Sequence, residues 1–468
     1  MTERTRLIYN LGLEKLKGKL NVLNLEYKIE HIKFRFKTDI SIKGKLERKE
    51  KLVGKHLECT DENIKNYIKD VIGARIVCPF ILDIKELVED LLNDSEIEIL
   101  EIKDYINSPK PNGYSGYHII IRIPIVIDEK VEYVNAEIQI RTIMQDMLAS
   151  QEHKIRYKKN IELSDQTNEK LQTMIKECNT KDKNLNEKYK QAKLANEIIF
   201  QNAEYTKMML KHQMALDITS ASYINQSDET YKVNEPYVAE FGIQENKIDN
   251  ENLFQNIDYK KMMIKYQTAL DIISAYINQL NEIYKVNEQY FEEVNPIEHI
   301  EKRRKKYERI IEKVKKQTNN LSPFSIENTI SDIAGIRIVC SFKYDLYKVI
   351  NTLKNDFELQ VIREKNYIEN PKENGYKGYH LIVLIPVSIE NRIEYVKVEI
   401  QVRTIAMDTW AILERNLRSI KMTPQERKKE LCDLAYIRDK IDDNMQEISL
   451  EARNLIANKK VLKKSPIK

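Results

Sequence analysis

The 468-residue sequence predicts an α/β protein of two tandem domains, each a mixed sheet of four to five strands flanked by helices, with a helical linker between them. Three observations predict it. DVIGARIVC at Asp70–Cys78 recurs as DIAGIRIVC at Asp332–Cys340, the offset of 262 holds without a gap to Glu152, and 39 of those 83 positions are identical. Short β-branched and alternating runs stand between segments of helical periodicity. Glycine and proline number only eleven each, so most of the chain reads as helix with strands confined to a few places.

Within the first copy, a helix is expected from about Thr5 to Glu30. A polar helix near Asp61–Lys69 leads into the strand Ala74–Cys78, which is apolar and β-branched. Asp83–Leu92 has helical spacing, and Glu96–Ile102 alternates Glu and Ile as a half-buried strand does. Asn107–Gly116 holds Pro109, Pro111 and Gly113 and reads as a loop. Tyr117–Ile127 and Val131–Arg141 form a hairpin joined at Asp128–Lys130, and a helix follows to about Lys158. The charged stretch from about Glu162 to Ala195 reads as an accessory helical hairpin. The second copy follows the same plan. Between the copies, Tyr205–Ile218 resembles Tyr259–Ile272, so the leading helix of the second domain was copied once more. The expected domains are 1–198, a linker at 199–258, and 259–468.

The totals exclude several functions. A net charge of +4 over this length does not describe a protein that coats nucleic acid. None of the five cysteines forms a C-x-x-C pair, and Cys78 and Cys340 sit in apolar runs as buried thiols, which fits a reducing, cytoplasmic setting. No stretch is long and apolar enough to span a bilayer. Gly-Lys-Ser/Thr is absent, so the chain is not a P-loop ATPase.

Three constellations carry chemistry. Asp70 (Asp332) enters a buried strand, and Glu137 (Glu399) lies on another with Gln139 and Arg141 (Gln401 and Arg403) on its face. Two hard carboxylates are what a magnesium ion takes beside phosphate oxygens and water. Lys37, Ser41 and Lys45, spaced by four, would share one helical face near Arg35, and Arg75 follows Asp70 by five. The loop PKPNGYSGYH offers Lys110 for phosphate, Tyr114 for stacking on a base, and His118 at the start of a strand.

D-[IV]-x-G-x-R, P-K-x-x-G-Y-x-x-Y-H and E-[IV]-Q-[IV]-R-T therefore occur twice in one order, and in that combination the chain resembles the RelA/SpoT-type alarmone synthetases, specifically their small single-domain members. The resemblance covers roughly residues 10–195 and 260–455. It implies a nucleotidyltransferase-like fold and transfer of pyrophosphate from ATP to the 3′-hydroxyl of GDP or GTP, giving ppGpp or pppGpp and AMP. It implies that Mg²⁺ is held by Asp70 and Glu137, and by Asp332 and Glu399. Arg35 and Arg75 would clasp adenine, with Lys37, Ser41 and Lys45 on the ATP phosphates; Arg303, Lys305, Lys313 and Arg337 take these places in the second copy. Tyr114 would stack on guanine, Asp146 would read its edge, and Lys110, His118, Gln139 and Arg141 would hold the acceptor. Lys372, Tyr376, His380, Gln401, Arg403 and Asp408 correspond to them.

The copies depart from the pattern in places. Gly116 and Gly378 replace a frequent serine, and Leu148 stands where a tryptophan is usual, kept as Trp410. Asn366 replaces the loop aspartate held as Asp104, Arg309 stands for Ser41, and Arg415 for His153. None of the seven histidines precedes an aspartate, so the His-Asp motif of alarmone hydrolases is absent. Two other readings stay open: a relative that pyrophosphorylates tRNA 3′ ends or adenine nucleotides, and a regulator that only binds nucleotides. The halves are expected to pair as an intramolecular pseudo-dimer or within a homo-oligomer.

Overall fold

The computed structural model describes residues 1–29, 37–42, 45–94, 97–156, 163–224, 257–291, 293–318, 320–356, 359–389, 392–418 and 420–464. Side chains are described outside 25–48, 196–256 and 456–468.

In the first half, α1 (Glu3–Ile29) precedes β1 (Lys37–Ile42), α2 (Lys45–Val53) and α3 (Asp61–Tyr67). Then come β2 (Ile72–Cys78), α4 (Ile81–Asn93), β3 (Glu98–Asp104), β4 (Tyr117–Ile127) and β5 (Lys130–Thr142). Helices α5 (Ile143–Arg156) and α6 (Asp165–Ile224) close it. The strand order is β1-β2-β5-β4-β3. β2 and β5 run parallel and the other pairs antiparallel, so the sheet is mixed with five strands.

The second half repeats this. Helix α7 (Ile257–Phe291) precedes β6 (Ile297–Arg304), α8 (Tyr307–Lys315), α9 (Pro323–Thr329) and β7 (Ala334–Cys340). α10 (Lys343–Lys354), β8 (Gln360–Asn366), β9 (Tyr379–Ile389), β10 (Arg392–Thr404), α11 (Ile405–Leu417) and α12 (Pro424–Lys464) follow. The order is β6-β7-β10-β9-β8.

Local chemistry explains the joints. The β4–β5 hairpin turns through Asp128 and Glu129, both left-handed at φ 50° and 63°, which matches the strand twist that a two-residue hairpin needs. The Thr that ends each E-x-Q-x-R-T strand does two jobs. Thr404 Oγ1 accepts from Met407 N and caps α11, and it donates to the buried Asp442 of α12 at 2.8 Å. Thr142 does the same toward Gln145 N and, at 2.6 Å, Asp182 of α6. Each sheet therefore anchors its own C-terminal helix.

Two elements differ from expectation. The segment from Lys37 is a strand, not a helix: Thr38, Ile40 and Ile42 alternate with period two and pair with Ile76, Ala74 and Ile72 of β2. Residues 165–224 form one unbroken helix, where a hairpin was expected, and it runs past residue 198.

Each half has its own apolar core, centred on Ile72, Ile76, Ile138 and Ile140 in the first and on Ile336, Ile338, Val398 and Ile400 in the second. A third cluster joins them: Met144, Met147, Leu148 and Leu171 pack with Trp410, Leu413, Leu434 and Met445. α5 meets α11, and α6 meets α12. Ion pairs Lys181–Glu430 at 2.9 Å, Lys440–Glu177 at 2.6 Å and Lys154–Glu298 at 2.7 Å border this seam. The two halves thus pair within one chain.

Candidate active site: two matched clefts

β5 and β10 build the centre of each cleft. Alternation puts Ile138 and Ile140 in the core and leaves Glu137, Gln139 and Arg141 on the opposite face. There they form a closed chain. Gln139 Nε2 donates to Glu137 Oε2 at 2.7 Å, and Arg141 Nη2 donates to Gln139 Oε1 at 2.8 Å. Arg141 Nε donates to Tyr114 Oη at 3.1 Å. Tyr114 Oη lies 2.7 Å from His118 Nε2, and His118 Nδ1 lies 3.0 Å from Glu137 Oε1. The second half closes the same ring through Gln401, Glu399, Arg403, Tyr376 and His380, with His380 Nδ1 2.9 Å from Glu399. If each imidazole donates from Nδ1 to the carboxylate, its Nε2 accepts from the tyrosine hydroxyl. Glu399 keeps one lone pair on each oxygen, since each has a single hydrogen-bond partner among the described residues.

Burial works to raise the pKa of Glu399, but the hydrogen bonds from His380 and Gln401 outweigh it and hold the carboxyl below its ordinary range. Asp332 behaves alike: burial opposes ionisation, and Lys305 at 2.5 Å and Lys313 at 2.9 Å overcome it. Nearby Asp332 in turn works against the charge on Glu399. Both acids line one cleft of about 480 Å³ with Arg303, Arg337 and Gln401. In the first half Lys51 holds Asp70.

The glycine loop shapes the neighbouring subsite. Gly113 and Gly375 are left-handed, at φ +81° and +85°, and the loop closes on itself from Lys110 N to Tyr114 O at 3.0 Å. Lys110 Nζ then sits 4.6 Å from the Tyr105 ring and 5.0 Å from that of Tyr114. Lys372 is placed likewise over Tyr367 and Tyr376. A Cβ at Gly378 would fall 2.9 Å from Tyr376 Oη, so glycine there admits the hydroxyl into the ring of hydrogen bonds. Asp104 Oδ1 accepts from Ile106 N and Asn107 N; Asn366 Oδ1 accepts from Ile368 N and Glu369 N. The exchange of aspartate for asparagine therefore leaves the loop cap intact.

Several expectations need correction. Asp408 is 3% exposed and ion-pairs Arg403 at 2.9 Å and Arg337 at 3.3 Å. Asp146 pairs with Arg141 and Arg75. In this state these carboxylates position arginines and do not present an edge to a guanine. Tyr376, at 9% exposure, is held by its hydroxyl and offers little ring for stacking. Lys37 and Ser41 share a strand, with Ser41 opposite Gly73, while Lys45 opens α2; Arg35 lies outside the described residues. In the second half it is Arg303 that stands opposite Gly335, with Lys305 just beyond β6 and Lys313 in α8. Two participants escaped notice in the sequence, Tyr105 (Tyr367) and Lys51. Both lie on the 262 offset: Tyr105 within the recurring string, and Lys51 opposite Lys313, each after a glutamate.

No group of three or more His, Cys, Asp or Glu side chains among the described residues could cage a metal. The donor set instead suits an ion that brings most of its own ligands: two carboxylates facing one cleft among cations, the hard-oxygen pattern of magnesium carried by nucleotide phosphates. Among the described residues no helix is long and apolar enough to cross a membrane.

The family model described as "Region found in RelA / SpoT proteins" matches residues 34–162 and 302–421. Among characterised proteins, the chain is 38% identical over 196 residues to GTP pyrophosphokinase YwaC of Bacillus subtilis (strain 168), covering 42% of this chain and 91% of that one. It is 30% identical over 197 residues to GTP pyrophosphokinase YjbM of the same organism, covering 42% and 90%. Among solved structures, small alarmone synthetase 1 from Bacillus subtilis bound to its product pppGpp matches at 31% identity and a TM-score of 0.38, over 42% of this chain and 100% of that one. Each relative is thus taken up almost whole by less than half of this chain.

Proposed function

Because the chain belongs to the RelA/SpoT family and carries that family's domain twice, we infer that it is a GTP pyrophosphokinase making (p)ppGpp: it transfers pyrophosphate from ATP to the 3′-hydroxyl of GDP or GTP and releases AMP. The observation that carries the reading at residue level is the convergence of Asp332 and Glu399 on one cation-lined cleft, with the same acids and the same hydrogen-bonded ring in the first half.

Asp332 with Glu399, and Asp70 with Glu137, would hold Mg²⁺. When bound, that ion would offset phosphate charge as the pyrophosphate moves. The remaining work falls to the chain's own groups. Arg303, Lys305 and Lys313 meet the ATP phosphates, and Lys305 and Lys313 must loosen from Asp332 to do so. Glu399 accepts a hydrogen bond from the attacking hydroxyl on a free lone pair, while His380 and Gln401 stop it from rotating. Lys372, lying over two tyrosine rings, meets the acceptor's phosphates. In the first half Lys51, Glu137, His118, Gln139 and Lys110 take these parts.

The full chain incubated with Mg²⁺, ATP and GDP should release AMP and form ppGpp in equal amounts. Glu137→Gln combined with Glu399→Gln should lower both by on the order of 10³. Undiminished turnover in the double variant would refute the residue assignment.

A further inference from the structure

The cleft of the second half holds more positive charge than its own acids use. Glu301, Asp332 and Glu399 are the acids that line it. Arg337 engages Glu301 at 2.9 Å, two lysines engage Asp332, and His380 with Gln401 engages Glu399. Among the described residues, Arg303, Arg304, Lys306 and Arg415 line the same cleft without a carboxylate partner.

Arg415 differs from the other three. They come from β6 and the residues after it, whereas Arg415 comes from α11, across the cleft. It follows Asp408 by seven residues, two turns or roughly 10.5 Å along one helical face. Its Nε donates to Ala411 O of its own helix at 3.3 Å, and both Nη groups have no partner among the described residues. The side chain is exposed at the cleft mouth. The charged groups that face it are Arg337 and Arg403, which repel it, and Asp408 and Glu301, which other arginines already bind. Among the described residues no ion pair accounts for a third guanidinium there. A polyanion in the cleft would. The first half holds His153 at this position, and on the opposite wall it has Ser41 facing Gly73 where the second half has Arg303 facing Gly335, so the second cleft has gained cations on both walls.

We propose that Arg415 is a nucleoside-triphosphate contact belonging to the second half alone, reaching the donor from the α11 wall and making the second cleft the tighter of two ATP sites. This rests on the pyrophosphokinase reading of the cleft. One charge-assisted contact of a guanidinium to phosphate corresponds to about a tenfold change in affinity.

Calorimetric titration of the full chain with α,β-methylene-ATP and Mg²⁺ tests it. Two sites about tenfold apart are expected. Arg415→His should weaken the tight site until the two coincide, Arg415→Lys should restore part of the difference, and His153→Arg should tighten the weak site. Thermal melting of each variant checks the fold, which should hold because Arg415 bonds only its own helix. With Glu137→Gln in place, so that the second cleft alone turns over, Arg415→His should raise KM for ATP about tenfold and leave kcat within about twofold. An isotherm with two sites indifferent to residue 415 overturns this proposal and leaves the transferase reading standing. A chain that binds no nucleotide overturns both.

Discussion

The two halves of this chain share a ring of five side chains and differ at the edge of the sheet that feeds it. Glu137, Gln139, Arg141, Tyr114 and His118 repeat as Glu399, Gln401, Arg403, Tyr376 and His380, with each shared contact reproduced to within 0.2 Å, as in the His–Glu distances of 3.0 and 2.9 Å. At the edge, β1 puts Ser41 opposite Gly73 where β6 puts Arg303 opposite Gly335, while Lys51 holds Asp70 as Lys313, at the same offset, holds Asp332. A strand buried on one face by core contacts and fastened on the other by five mutually dependent hydrogen bonds tolerates little drift. An edge strand paired on one side only tolerates a change of register and of cations. Duplication has kept the acid and its holders and let the basic wall along the edge strand diverge.

The largest expected effect tests whether both rings work. Glu137→Gln and Glu399→Gln made singly should each remove one half's share, neither leaving less than about a tenth of parental ppGpp formation. If one of them alone abolishes turnover, the matched geometry does not carry matched function.

Next comes the seam between the halves. Trp410 is 2% exposed and donates from Nε1 to Leu431 O at 3.2 Å, so Trp410→Ala should cost about 3–5 kcal/mol in urea unfolding. Leu148→Ala, on the other side of the seam, removes no hydrogen bond and should cost less. Equal losses would mean that the tryptophan adds nothing beyond apolar contact.

How far the sequence could be read follows the same division. The repeated strings at Asp70–Cys78, Ile102–His118 and Val131–Thr142 are dense in local signals. Alternation, left-handed glycines and a capping threonine each dictate backbone within a few residues, so β2, β3, β4, β5, α4 and α5 were legible to within a few residues at each end. The basic segment around Lys37 was not, because lysines and serines four apart suit a helix face and a strand face alike, and pairing with β2 decided between them. The unbroken α6 was missed because charge alone marks no break, and no glycine or proline interrupts Asp165–Ile224. Asp146 and Asp408 could be placed on a helix, but only the folded chain shows that their carboxylates are taken by arginines of the two adjacent parallel strands, β2 with β5 and β7 with β10.

Smaller effects sharpen the comparison within the rings. Tyr376 Oη receives both Nε and Nη2 of Arg403, at 3.2 and 2.9 Å, whereas Tyr114 Oη receives only Nε of Arg141. Tyr376→Phe should therefore lower kcat/KM of the second half by up to about tenfold, and Tyr114→Phe should lower that of the first half by less, at about 1 kcal/mol per lost bond. A phenylalanine without effect in both halves would remove the hydroxyl from the account.

The smallest effect concerns the helix anchors. Burial pushes Asp442 up to about 7, partly offset by the Thr404 hydrogen bond, and Asp182 likewise to about 7. A carboxyl raised in this way contributes most to stability below its unfolded value near 4, and that contribution is lost as pH rises through about 7. Asp442→Asn should consequently gain in Tm relative to the parent between pH 5 and pH 8.5. A difference in Tm that is flat across that range would contradict the buried, protonated anchor.

The most direct test of the central claim follows the phosphorus atoms. ATP labelled separately at the α, β and γ positions is given to the full chain with GDP and Mg²⁺. Equal transfer of β and γ label to the guanosine 3′ position, with all α label in AMP, is the predicted result. Transfer of γ label alone, or label appearing on no guanine nucleotide, would contradict pyrophosphate transfer by these two clefts.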